Sequence, residues 1–378
     1  MNKKEMSNCL KSMKWLSGVC ILSIFLFMIF VKSSPAADEV VLRYANPTSS
    51  KNVQAFLHTL KPYSEVVAQR TEGKVKIMPY HDGALLGLKD MLRGVGSGIA
   101  EMGWMHPTDD PSLLPINNLC YVPLFDGPDA YHHTLIGRII TEEFPEFYEE
   151  MQKNNFIDLF YIASAPHQII LNKPANSLSE LKGRRVRVAG SYFPKLLLPI
   201  GMVPQEVSLN EVYESLQRGV IDGAISVLSY FRDAMWSKVA QYLVLPSITP
   251  TMPTQSCGMN LNAWRKLSPS IKKVMLEEAK IREKNFGRFM DQDSLDALNQ
   301  MIKNDKVTVG KITKNEFKDW KNRCPDVLDD YANKMQSIGV RGKNIVERTK
   351  ILISMSTPEL EKLFDEAWSK RTKRLLGQ

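Results

Sequence analysis

The stretch "SPSIKKVMLEEAKIREKNFGRFMDQDSLDALNQMIKN", residues 268–304, constrains the fold more than any other. Ser268 stands where an N-cap is needed, Pro269 suits the first helical position, and few breakers follow. A helix of that length exceeds the span of one small domain and predicts two units with the helix running along both. The length of 378 residues points the same way, since single cores of that size usually divide.

Before that helix, strand and helix patterns alternate. Residues 40–45 (VVLRYA), 74–78, 101–105 and 156–163 read as strands, separated by helices over about 52–71, 88–96 and 128–152. A second run has strands at 168–172, 184–188, 219–227 and 256–264, with helices over 191–200 and about 209–218. Helical patterns return over about 313–338 and after the "STPE" cap at 356–359. Strands alternating with helices at this spacing predict α/β units, and two such units leave a ligand cleft between them.

The first residues lie outside that scheme. Lys3, Lys4, Lys11 and Lys14 precede the uncharged "WLSGVCILSIFLFMIFV", and "KSSPAADE" follows, the order of a secretory signal. Ser34 and Ala36 supply small residues for cleavage after Ala36; the alternative is a retained membrane anchor. Removing residues 1–36 takes away five lysines and one glutamate, so the formal charge falls from +8 to +4, which gives nucleic-acid binding no support. Cys120, Cys257 and Cys324 remain, allowing at most one disulfide and showing no zinc-type spacing.

The strand in "LKGRRVRVAG", residues 181–190, carries the chemistry. Alternation puts Arg185 and Arg187 on one face, with Val186 and Val188 on the other. A guanidinium is costly to bury unpaired, so each arginine meets either water or an anion.

"LKG", this basic strand, a G-x-x-P, "EVYESLQRG" and "VIDG" follow one another between residues 181 and 223, with "GALLG" and "VPLF" earlier in the chain. In this order they resemble the extracytoplasmic solute-binding proteins of TRAP transporters, the DctP-like family, over roughly residues 38–345. The resemblance implies a two-lobed, periplasmic-binding-protein-like α/β fold that closes on a small organic acid. It also implies delivery to the small and large membrane subunits of an ion-gradient-driven permease. No cofactor, metal or catalytic residue is implied; the protein is expected in the periplasm, mostly as a monomer, with a dimer possible. The lobes are expected over 37–164 with 253–292 and over 165–252 with 293–345, followed by a C-terminal helical segment, 346–378.

The family's carboxylate-binding arginine falls on Arg187, whose planar fork suits two parallel charge-assisted bonds. Arg185 is expected to be solvated or salt-bridged. Many members have a second arginine twenty positions earlier, where this chain has His167, an imidazole that carries charge only if its pKa rises above ambient pH. Ser226 stands where asparagine is common, and Leu209 where an aromatic residue often lines the pocket. Asn46 and His106 fall at positions that contact polar ligands, while Lys89 replaces an acidic residue. Trp104, Tyr192, Phe193, Tyr230 and Trp236 supply aromatic wall or core. Fewer fixed polar groups and more apolar wall point to a monocarboxylate with an apolar or aromatic body.

Two other functions compete. A secreted hydrolase would need a nucleophile arrangement, but "G-x-S-x-G" and H-E-x-x-H are absent, and "GVGSGIA" misses dinucleotide spacing. The pair His132–His133 reads as surface or capping. A ligand sensor for a membrane receptor would use the same lobes but normally carries its own signalling segments.

Overall fold

The computed structural model describes residues 39–51, 56–125, 127–250, 252–310 and 312–378. The signal segment 1–36 and the start of the helix expected from about residue 52 lie outside the described residues.

Among the described residues twelve strands form two sheets: β1 (Val40–Ala45), β2 (Val75–Tyr80), β3 (Met102–Met105), β4 (Pro123–Phe125), β5 (Phe156–Ile162), β6 (His167–Leu171), β7 (Arg185–Arg187), β8 (Val203–Gln205), β9 (Gly223–Val227), β10 (Tyr242–Pro250), β11 (Gln255–Asn260) and β12 (Thr308–Val309). The first sheet has the order β2-β1-β3-β11-β5. The second runs β12-β10-β6-β9-β7-β8, with β4 also paired to β10. This is a mixed α/β, two-lobed fold. β11 sits between β3 and β5, so after β5 the chain builds β6 to β10 of the second sheet and returns, while β4 and β12 join that sheet from outside this excursion. Residues 163–166 connect β5 to β6. β4 falls within the segment expected in the first lobe, yet it pairs antiparallel with β10 of the second sheet.

The long helix spans Pro269–Asp305, 37 residues or about 55 Å. Ser268 caps it, its side chain accepting from the Ile271 N–H, and Lys306 ends it in the left-handed region at φ +59°. Near its start, the Met275 carbonyl accepts from the Tyr63 hydroxyl at 3.2 Å, beside the first sheet's helix Leu60–Arg70. Near its end, Ala297 and Met301 are buried with Ile170, Ala224, Phe231 and Trp236 of the second unit. One rigid element thus contributes to both cores.

Breakers account for most differences from the sequence reading. Pro145 divides the expected helix 128–152 into Ala130–Glu143 and Glu146–Lys153. The strand expected over 256–264 stops at Asn260, whose side chain accepts from the Ala263 N–H and starts the helix Leu261–Lys266. In 191–200 only Phe193–Leu197 is α-helical, and a 3₁₀ turn with Pro199 follows.

Under the first sheet lies an ionic core. Arg138 donates to Glu283 at 2.7 and 3.0 Å and meets Asp158 at 2.7 Å, and all three side chains are buried. Arg371, on the C-terminal helix Thr357–Leu376, meets Glu142 at 2.9 Å and Asp158 at 3.3 Å, while Arg374 meets Glu142 at 2.7 Å. Three cations balance three anions, which limits the desolvation cost and anchors the final helix to Ala130–Glu143 and β5.

Candidate functional site

β7 runs parallel between β8 and β9, with Arg187 opposite Gln205 and Ala224. Val186 is fully buried on the other face. The two arginines have different surroundings. Arg185 donates from Nε and Nη2 to the Asp222 carboxylate at 3.0 and 2.9 Å, and from Nη2 to the Gly219 carbonyl at 2.7 Å. It is a half-exposed structural ion pair.

Arg187 donates from Nε to the Val207 carbonyl at 3.1 Å. Among the described residues it forms no ion pair. Part of the residue remains exposed, but burial around the charged head lowers its pKa. The groups that raise its pKa against burial are the Tyr121 and Tyr230 phenols, not carboxylates. Ala224 beside it is small, and the Val207 carbonyl holds Nε, so both Nη groups stand without a protein partner among the described residues.

His167 opens β6, paired with Val227 and Ile248. Its ring lies 5.3 Å from Phe193, and Nδ1 is buried without a partner. Burial first, and the Arg187 charge second, push its pKa down to about 3. It therefore stays neutral at physiological pH and supplies no second positive charge.

His106, just after β3, hydrogen-bonds through Nδ1 to Thr108 Oγ1 at 2.7 Å and through Nε2 to the Tyr121 hydroxyl at 2.5 Å. Trp104 lies 6.3 Å from it, ring to ring, with its indole N–H buried and unpartnered. His106 and Arg187 both act electrostatically on His167, so Trp104, His106, Tyr121, His167, Phe193, Arg187 and Tyr230 form one connected cluster.

The other expected residues stand apart from that cluster. Asn46 is fully buried and occupied, accepting from the Thr48 N–H and hydroxyl and bonding His81 at 2.9 Å, so it shapes its own loop. Lys89 is exposed on the 3₁₀ turn Leu88–Asp90. Leu209 packs at the margin of the second core. Ser226 is half-buried opposite Gln168, on the sheet face of Arg187. Trp236 is core, and Tyr192 is buried under Lys195.

Asp129 caps the helix Ala130–Glu143, its side chain accepting from the His132 N–H at 2.8 Å and bonding the His132 ring at 3.0 Å, and His133 is fully buried rather than on the surface, with Nε2 accepting from the Ser164 N–H at 3.3 Å and its pKa lowered to about 3 by burial. Among the described residues no set of His, Cys, Asp or Glu converges as metal ligands. Cys120, Cys257 and Cys324 are free thiols. Tyr121 had no sequence signal, because "PINNLCYVP" is aperiodic.

Residues 47–334 match the model of the bacterial extracellular solute-binding protein family 7, DctP. The chain belongs to this family. Its members are binding proteins of transport systems rather than enzymes. A solute-binding protein of Chromohalobacter salexigens is 23% identical over 316 residues, covering 82% of this chain and 88% of that one. Among solved structures, a TRAP periplasmic solute-binding protein from Desulfovibrio salexigens superposes with a TM-score of 0.70 at 24% identity, over 84% of this chain and 98% of that one. A marine metagenome TRAP protein specific for aromatic acid ligands, in complex with metahydroxyphenylacetate, gives 0.72 at 20% identity, over 84% and 99%. At these identities the structures establish the fold. No helix among the described residues is long and apolar enough to cross a membrane.

Proposed function

We propose that this family member captures a monocarboxylate with an apolar or aromatic body, held by Arg187, and delivers it to a TRAP permease outside the cytoplasmic membrane. One observation carries the reading. Arg187 is a desolvated guanidinium with no acidic partner among the described residues, whereas Arg185, two positions away, has Asp222. The neutral His167 leaves the cluster with one positive charge from Arg187, which suits one carboxylate. Tyr121, Tyr230, Trp104 and Phe193 offer flat apolar surface for the rest of the molecule. The aromatic-acid specificity of one solved neighbour is consistent with that wall.

Titration calorimetry with arylacetates tests the proposal. Arg187→Ala should lose about 30-fold to several-thousand-fold in affinity, the usual effect of removing one partner of a desolvated charge pair. Arg187→Lys should recover part of it, having charge without the fork. Arg185→Ala should bind as wild type. Equal losses at both arginines, or none at Arg187, would refute the assignment.

A further inference from the structure

The polarity of the hydrogen bonds around His106 can be worked out atom by atom. Nδ1 faces the Thr108 hydroxyl at 2.7 Å and the Asp109 carboxylate at 3.4 Å. A carboxylate only accepts, so in the neutral ring the proton sits on Nδ1 and Nε2 carries the lone pair. The Tyr121 hydroxyl, 2.5 Å from Nε2, must then donate to it. Thr108, accepting from Nδ1–H, has its own hydrogen free to donate toward the Tyr121 oxygen. Tyr121 thus has its hydrogen committed and one lone pair left.

The ring around that oxygen is also held. A Cβ on Gly190 would stand 3.0 Å from Tyr121 Cδ1, so the bare backbone at φ +68°, three residues beyond Arg187, is the seat of the phenol. Tyr121 is buried and acts directly on the Arg187 charge.

We propose that Tyr121 is a specificity-determining residue: its phenolic oxygen, oriented by His106, accepts a hydrogen bond beside Arg187 and selects acids that carry a donor next to the carboxylate, 2-hydroxy acids over 2-oxo acids. This rests on the reading that Arg187 takes the carboxylate. A 2-hydroxyl satisfies the Tyr121 lone pair. A 2-oxo group sets oxygen against oxygen and leaves both unsatisfied.

Mandelate, phenylglyoxylate and phenylacetate share one skeleton and differ only at that position. Calorimetric titration of wild type should rank mandelate (either enantiomer) about tenfold tighter than phenylglyoxylate. Tyr121→Phe keeps the ring on Gly190 and should bring the ratio to about one while both acids still bind. His106→Ala leaves the phenol in place but frees its hydrogen to rotate and donate, so phenylglyoxylate should gain relative to mandelate. A wild type that binds the 2-oxo acid equally or better overturns the proposal, as does a ratio unchanged in both variants. Arg187→Ala separates the two readings. If it leaves all three affinities unchanged, or if none of the acids binds wild type, the carboxylate assignment itself has failed and this inference with it.

Discussion

If Arg187 awaits an anion, the ligand-free protein holds that charge at a cost, and replacing it with methionine should stabilise the fold while removing function. The effective desolvation penalty of a buried ion is several kcal/mol. Arg187 keeps some exposure and one bond to the Val207 carbonyl, so about 3–4 kcal/mol is a fair share of that penalty. Arg187→Met removes it, keeps most of the stem's packing, and loses one hydrogen bond, about 1–2 kcal/mol with the carbonyl left unpaired. The net expectation is stabilisation by about 2 kcal/mol.

The compact unit spans residues 41–378, roughly 340 residues, and about 2.1 cal/mol/K per residue gives an unfolding entropy near 0.7 kcal/mol/K. The melting midpoint should therefore rise by about 3 °C in protein stripped of ligand by unfolding and refolding. Saturating arylacetate should raise the wild-type midpoint further and leave the variant unmoved, because only the native state with its arginine binds the acid. A variant that melts at or below ligand-free wild type would refute the reasoning, since the guanidinium would then be fully compensated by its own protein.

Three more expectations follow from the ionisable groups and the cleft. Arg371 and Arg138 hold the Asp158 carboxyl well below the usual range, so its contribution is present above the unfolded value of about 3.9 and is lost as pH falls below it; Asp158→Asn should cost about 3–5 kcal/mol at pH 7 in chemical denaturation and flatten the acid limb. His133 and His167 are neutral with pKa values near 3, so stability should also fall as pH drops from about 6.5, while arylacetate affinity stays flat from pH 6 to 8; a slope there that His167→Ala removes would contradict the neutral imidazole. Gly190→Ala places a Cβ 3.0 Å from the Tyr121 ring at φ +68° and should cost about 1–2 kcal/mol; scattering curves should show its liganded form more open than liganded wild type, and identical curves would remove Tyr121 from closure.

What could be read in the sequence depended on whether the signal was local. Ser268-Pro269 and the run after them announced the long helix, because a cap and an unbroken stretch need no knowledge of the rest of the chain. Alternation placed Arg185 and Arg187 on one face, but what separates them is Asp222, 37 positions away. β10 went unread because Pro246 interrupts "YLVLPSITP"; the structure accommodates it with a shift of register against β6 between Val244 and Ile248. Asn46 illustrates the converse. Its residue type suits a ligand contact, yet its side chain is consumed by Thr48 and His81. Tyr121 joins the cluster only because the fold carries an aperiodic segment to the backbone of Gly190.

Charge balance connects the fold to the proposed ligand. In the proposed function, a second carboxylate at this site would need a second cation, and the position where the family resemblance leads one to expect a second arginine holds His167. That side chain cannot take the role by protonation, because β6 places it against Phe193 and beside the Arg187 charge, and both burial and like-charge repulsion oppose a second positive charge. A dianion would therefore carry one uncompensated charge into a desolvated site, whereas a monoanion is matched by Arg187 and exposes its remaining surface to Tyr121, Tyr230 and Trp104. In the proposed function, the discrimination comes from a missing cation rather than from an added contact. The ionic core of Arg138, Arg371 and Arg374 does not disturb that balance, because Glu142, Asp158 and Glu283 neutralise it within the first unit. In the proposed function, Arg187 is the cation whose counter-charge arrives with the ligand.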